Sequence, residues 1–174
     1  EGDIESVARF IRLYTTRNER WSSPKFLAGE SYGTVRAAGL ASELQDRHGM
    51  YLNGVVLVSA VLNYQANAFD TGNDLVYPLF LPTYTATAHY HNALPPETQQ
   101  RDLRDLLDEV EQWATTDYTV ALMQGNALAD AQRERVIDRL HQYTGLSREF
   151  IADANLRVVD RHFYKEIGRA SCRE

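Results

Sequence analysis

The chain has 174 residues, 44% hydrophobic and 24% charged, with a formal net charge of -6. That is an ordinary globular composition, sized for one domain or a large piece of one. Its basic residues are scattered and form no stripe for nucleic acid, and no apolar run approaches the ~20 residues that span a bilayer.

The single cysteine, Cys172, rules out an internal disulfide. The opening Glu1-Gly2-Asp3 lacks a methionine and reads as the middle of a longer protein. Compartment therefore stays open, with a periplasmic or secreted location favoured; oligomeric state stays open too.

Ile4, Val7, Phe10, Ile11 and Tyr14 fall at helical spacing and predict a first helix over residues 3–17, with Asp3 as its N-cap. Trp21-Ser22-Ser23-Pro24 is a loop. Phe26-Leu27-Ala28 is a short buried-strand run, and helix formers follow from Thr34 to Leu44, stopping near His48-Gly49. Residues 52–59 form a second apolar, β-branched strand. Helix, strand, helix, strand is the rhythm of a parallel sheet with crossover helices. The unbroken apolar run through Leu57 and Val58 predicts a sheet covered on both faces.

Beyond Ala60 the rhythm changes. Residues 61–74 read as a polar loop. Residues 75–91 are rich in aromatics; Pro78 and Pro82 limit any long helix there, and a helix is expected after Pro82. Pro96 with Glu97 opens a helix, and residues 99–123 carry a strong amphipathic pattern on Leu103, Leu106, Leu107, Val110, Trp113 and Ala114. A further helix is expected over 127–143, ended by Gly145. Ser147 opens a short one, and residues 156–159 are a weak strand candidate. The predicted organisation is a half-sheet core over 1–62, an all-helical segment over 63–165 and a separate tail over 166–174.

Between the first strand and the second helix lies Gly29-Glu30-Ser31-Tyr32-Gly33, a G-x-S-x-G pattern. On a strand-to-helix turn this is the nucleophile elbow of an α/β-hydrolase. It pushes a strained serine's hydroxyl out at the top of the sheet. The flanking Gly29 and Gly33 leave room for strand and helix to approach. The amide after the serine can hold a developing oxyanion. The competing reading is a serine that only N-caps the helix.

The stretch Phe26-Leu27-Ala28-Gly29-Glu30-Ser31-Tyr32-Gly33 closely resembles the serine carboxypeptidase family, its bacterial members in particular. The resemblance extends to Glu5–Asn18, Leu52–Leu57, Phe80–Tyr84, Ala88–His91 and Tyr143–Ser147, and so covers most of residues 3–165. It implies a partial α/β-hydrolase fold followed by a helical lid insertion, and a peptide as substrate. Ser31 is then the nucleophile that attacks the last peptide bond, and the backbone amide of Tyr32 an oxyanion donor. Glu30 is the residue that helps bind the substrate's C-terminal carboxylate, and one carboxyl holds another only when a proton is shared. The second oxyanion donor and the partner of Glu30 belong upstream. No cofactor or metal is implied. The alternatives are another α/β-hydrolase, an esterase or aminopeptidase, and a non-catalytic hydrolase-like binding protein.

In this fold the acid and base of the triad follow the serine, on loops after later strands. None of His48, His89, His91, His141 and His162 follows a strand in that way. His89 and His91 have metal-ligand spacing, but two ligands do not make a site, and lid packing is the expected role. Asp102, Asp105, Asp108, Glu109 and Glu111 read as a solvated helix face. Residues 166–174 resemble the in-frame translation of a sequencing-library adapter. They are expected to add no apolar pattern to the helix before them, with the natural sequence stopping near Lys165.

Overall fold

The computed structural model describes residues 2–171, with side chains through residue 168. The chain divides into two compact units, Glu1–Tyr64 and Gln65–Glu174. Helix dominates, and the described residues hold one two-stranded parallel sheet, a mixed α/β architecture.

The first unit runs α1 (Gly2–Arg17), β1 (Phe26–Glu30), α2 (Tyr32–His48) and β2 (Gly54–Val58). β1 pairs with β2 in parallel, with Phe26 opposite Gly54 and Glu30 opposite Val58. Before the first paired residue, Asn53 accepts from the Lys25 amide through its side chain at 2.8 Å and donates to the Lys25 carbonyl at 2.7 Å. Gly49 ends α2 in the left-handed conformation at φ 61°, and its N–H returns to the last helical carbonyls. Ala8, Leu40, Leu44 and Met50 form the core, with Ile4, Val7, Ile11, Leu27 and Leu52 packed around it. Each large side chain buried there contributes about 1.5–3 kcal/mol.

That core lies on one side of the sheet only. Val56 is 53% exposed and Phe26 66%, and Val55, Leu57 and Val58 are exposed as well. The expectation of a sheet covered on both faces is therefore corrected. Leu27 and Gly29 turn toward the helices, while Phe26, Ala28 and Glu30 alternate outward and meet no second layer among the described residues.

The second unit comprises α3 (Val76–Tyr90), α4 (Pro96–Gln99), α5 (Leu103–Trp113), α6 (Thr119–Gln124), α7 (Asp130–Thr144), α8 (Arg148–Asp153) and α9 (Asp160–Ser171). The helix expected after Pro82 is present, but it is longer than the prolines allowed for and starts at Val76, running through both. Pro78 sits in its first turn, where an amide has no helical partner, and Pro82 forfeits one interior bond. Burial of Tyr77, Leu81, Tyr84 and Ala88 offsets that loss. Tyr84 stacks on Phe163 with ring centroids 4.2 Å apart.

The helix expected over 99–123 instead starts at Leu103. Asp102 caps it, its side chain accepting from the amides of Arg104 at 2.9 Å and Asp105 at 3.2 Å. A π-helical turn, Ala114–Tyr118, joins α5 to α6. Its wider winding stacks Trp113 on Tyr118, five residues on, with the rings 3° from parallel. Gly145 caps α7, and the Ser147 hydroxyl caps α8.

Residues 156–159 form no strand. Asn155 and Leu156 take positive φ after α8, and Leu156 and Val158 drop into the core. α9 continues past Lys165, and Ile167, one turn beyond the buried Phe163, lies in the same core. The expectation that the last stretch adds no apolar pattern is thus corrected at Ile167. Cys172, Arg173 and Glu174 lie outside the described residues.

Candidate functional site

Ser31 occupies the single residue between β1 and α2, at φ 52° and ψ -120°. An N-capping serine takes extended backbone angles and accepts from the helix amides. Ser31 does neither: its side chain makes no capping bond, and the residue is exposed. The backbone does the positioning instead. The Ser31 amide donates to the Val58 carbonyl at 3.0 Å, which adds one rung to the parallel ladder. The Ser31 carbonyl accepts from the Thr34 amide at 3.0 Å and from the buried Thr34 hydroxyl at 2.7 Å. A serine gripped on both sides of its peptide keeps a backbone conformation it would otherwise leave.

Gly29 makes the tight turn possible. A Cβ there would sit 2.1 Å from the Gly33 carbonyl oxygen and 2.9 Å from the Thr34 nitrogen. Gly33 has no such need, since a Cβ on it would meet nothing within 4 Å. The close approach expected of both glycines is a property of the first one, with Gly33 supplying the backbone it touches.

Tyr32 begins α2, so its amide has no acceptor within the helix, and it donates to no other described residue. Its ring is exposed beside Arg36, which also pairs with Asp3 at 2.8 Å. Glu30 is the last paired residue of β1, exposed on the outward face of the sheet. The structure therefore brings Glu30, Ser31 and the Tyr32 amide together at the carboxyl end of β1.

It brings no base to them within this unit. His48 is the unit's sole histidine and ends the 17-residue α2, roughly 24 Å along the axis from Tyr32 at ~1.5 Å per residue. Against protein-family models, curated proteins and solved structures, the chain finds no match.

The remaining histidines belong to the second unit. His141 shares a 2.6 Å hydrogen bond with the Leu146 carbonyl, which ties the end of α7 to the chain that follows. The His89 Nε2 is buried without a partner, and His91 is an exposed helix cap. Among the described residues no three or more His, Cys, Asp or Glu side chains converge as metal ligands. No helix among them is long and apolar enough to cross a membrane.

The acids of α5 divide. Asp108 and Glu111 pair with Arg104 on the surface. Glu109 instead accepts from Arg101 at 2.7 Å and from the Tyr143 hydroxyl at 2.6 Å. Those two donors, Arg101 first, hold its carboxyl below the ordinary carboxylate value. Glu109 is thus a structural tie between α5 and α7.

One residue beside the serine went unremarked in the sequence. Ser59 follows Val58 as Ser31 follows Glu30, each one residue past the last pair of the register, and it too has φ 52°. The apolar run had marked it as the end of a strand. A positive φ leaves no trace in composition when the residue is not glycine.

Proposed function

We propose that Ser31 is the nucleophile of a serine carboxypeptidase built on an α/β-hydrolase core, with residues 63–165 as part of its helical lid. The observation that carries this is the exposed Ser31 hydroxyl on a strained turn between a parallel strand and a helix. G-x-S-x-G elbows use that geometry to present an attacking oxygen.

In the proposed reaction the Ser31 Oγ attacks the carbonyl carbon of the substrate's last peptide bond. A base takes the hydroxyl proton and passes it to the departing amine as the C–N bond breaks. The oxyanion rests on the Tyr32 amide, reinforced by the amino end of α2. Water then cleaves the acyl-serine ester. Glu30 helps hold the carboxylate of the C-terminal residue before it leaves. The base is not the first unit's sole histidine, because His48 lies a helix length away; in this fold the acid and base follow on loops after later strands.

The test is release of C-terminal amino acids from N-blocked peptides by the intact enzyme that carries this chain. Release in acid that disappears on Ser31→Ala supports the proposal. Cleavage of short acyl esters without any exopeptidase release assigns a different hydrolase. Turnover by the 174-residue chain alone, abolished by Ser31→Ala, would mean the base lies within it.

A further inference from the structure

Among the described residues, six that are not glycine take positive φ: Glu19, Ser31, Ser59, Asn92, Asn155 and Leu156. Four of them have a structural reason. Glu19 follows α1, Asn92 follows α3, and Asn155 and Leu156 follow α8. Each donates its amide to a carbonyl of the helix it leaves, at 3.0–3.3 Å, the left-handed ending that helices commonly take.

Ser31 and Ser59 are different, since both follow strands. Ser31 is gripped by Val58 and Thr34. No described residue makes a hydrogen bond with either the amide or the hydroxyl of Ser59, which is exposed. A β-region conformation would be the cheaper one for a serine there, and no hydrogen bond from a described residue holds the positive φ in place. Unexplained strain of this kind clusters at binding and catalytic positions.

Its location fits. Glu30 pairs with Val58, and Ser31 and Ser59 each follow one residue past that last pair, on neighbouring strands. Neighbouring strands lie about 4.8 Å apart, so a group bonded to one serine hydroxyl is within reach of the other. Both sit at the carboxyl ends of parallel strands, where open α/β sheets take their ligands.

We infer that Ser59 is a substrate-positioning residue. Its hydroxyl hydrogen-bonds the backbone of the peptide laid across the ends of β1 and β2, and so fixes the scissile carbonyl over Ser31. This rests on the reading of Ser31 as nucleophile.

The experiment compares Ser31→Ala, Ser59→Ala and Ser59→Gly in the intact enzyme, with kcat and KM measured on N-blocked peptides. Ser59→Gly removes the hydroxyl and the backbone strain together, so it stays folded even where Ser59→Ala does not. The expected result is loss of turnover for Ser31→Ala, and for both Ser59 variants a rise in KM of roughly 5–10-fold, the effect of one neutral hydrogen bond, with kcat within a factor of two. If Ser59→Gly keeps the parent KM, the residue serves the backbone alone and the inference falls while the nucleophile stands. If Ser31→Ala keeps its turnover, the hydrolase reading falls and takes the inference with it.

Discussion

Replacing Gly29 with alanine places a methyl carbon 2.1 Å from the Gly33 carbonyl oxygen, 2.4 Å from its carbon and 2.9 Å from the Thr34 nitrogen. All three are backbone atoms, so no side chain can rotate away. Relief requires β1 and α2 to separate, and α2 packs on both strands and on α1. Overpacking of this kind costs about 1–3 kcal/mol, and a backbone clash belongs at the upper end. Gly33→Ala is the matched control. Its Cβ meets nothing within 4 Å, and it lies in the first turn of α2, where alanine is the better helix former by up to about 1 kcal/mol. The assay is urea unfolding followed by Trp21 fluorescence in a Trp113→Phe background, because Trp21 reports on the first unit and Trp113 belongs to the second. With m of about 1–2 kcal/mol/M, the Gly29→Ala midpoint falls by roughly 1–2 M and the Gly33→Ala midpoint stays or rises. An unchanged midpoint for Gly29→Ala, or an equal fall for both, would refute the reasoning about the turn.

Two further predictions concern the second unit. The Tyr118 hydroxyl donates to the Leu156 carbonyl at 2.5 Å from a fully buried ring. Tyr118→Phe leaves that carbonyl without its donor, and thermal denaturation should show a loss of about 1–3 kcal/mol. Glu109 supplies a pH dependence. Arg101, then Tyr143, holds its carboxyl below the ordinary 4.5, so the stability it contributes is fully present above 4.5 and is lost as pH falls through the lower folded value. Melting temperatures measured downward from pH 5 should drop more steeply for the parent than for Glu109→Gln; parallel curves would remove Glu109 from the account.

The first unit was legible because its patterns agree with one another. Helical spacing from Ile4 to Tyr14, the apolar Phe26–Ala28 and Gly54–Val58 runs and the Gly49 stop all point to the same elements, and the structure has them. What misled was the inference from a continuous apolar run to a doubly covered sheet. Such a run states what a strand can bury, while the coverage depends on layers that lie elsewhere. In the second unit, Pro82 argued on local grounds against a helix running through it, and the burial of Leu81 and Tyr84 on either side outweighed the one lost bond. The π turn at Ala114–Tyr118 interrupts a helical period that the sequence carries through without a break.

The site was half legible. Gly29 and Ser31 stand out because both fall in the G-x-S-x-G pattern, and the turn needs a residue without a Cβ at Gly29. Ser59 does not, because its interest lies in a backbone angle and a cross-strand neighbour. Strand register is set by pairing, and no single run of residues records it.

The most direct test of the proposed nucleophile is covalent labelling of the protein that carries this chain with a fluorophosphonate, in which the Ser31 oxygen would displace fluoride from phosphorus, followed by peptide mapping. The account predicts one adduct, on Ser31, with loss of C-terminal residue release in proportion to labelling. An adduct on another serine, with release persisting in Ser31→Ala, would contradict it.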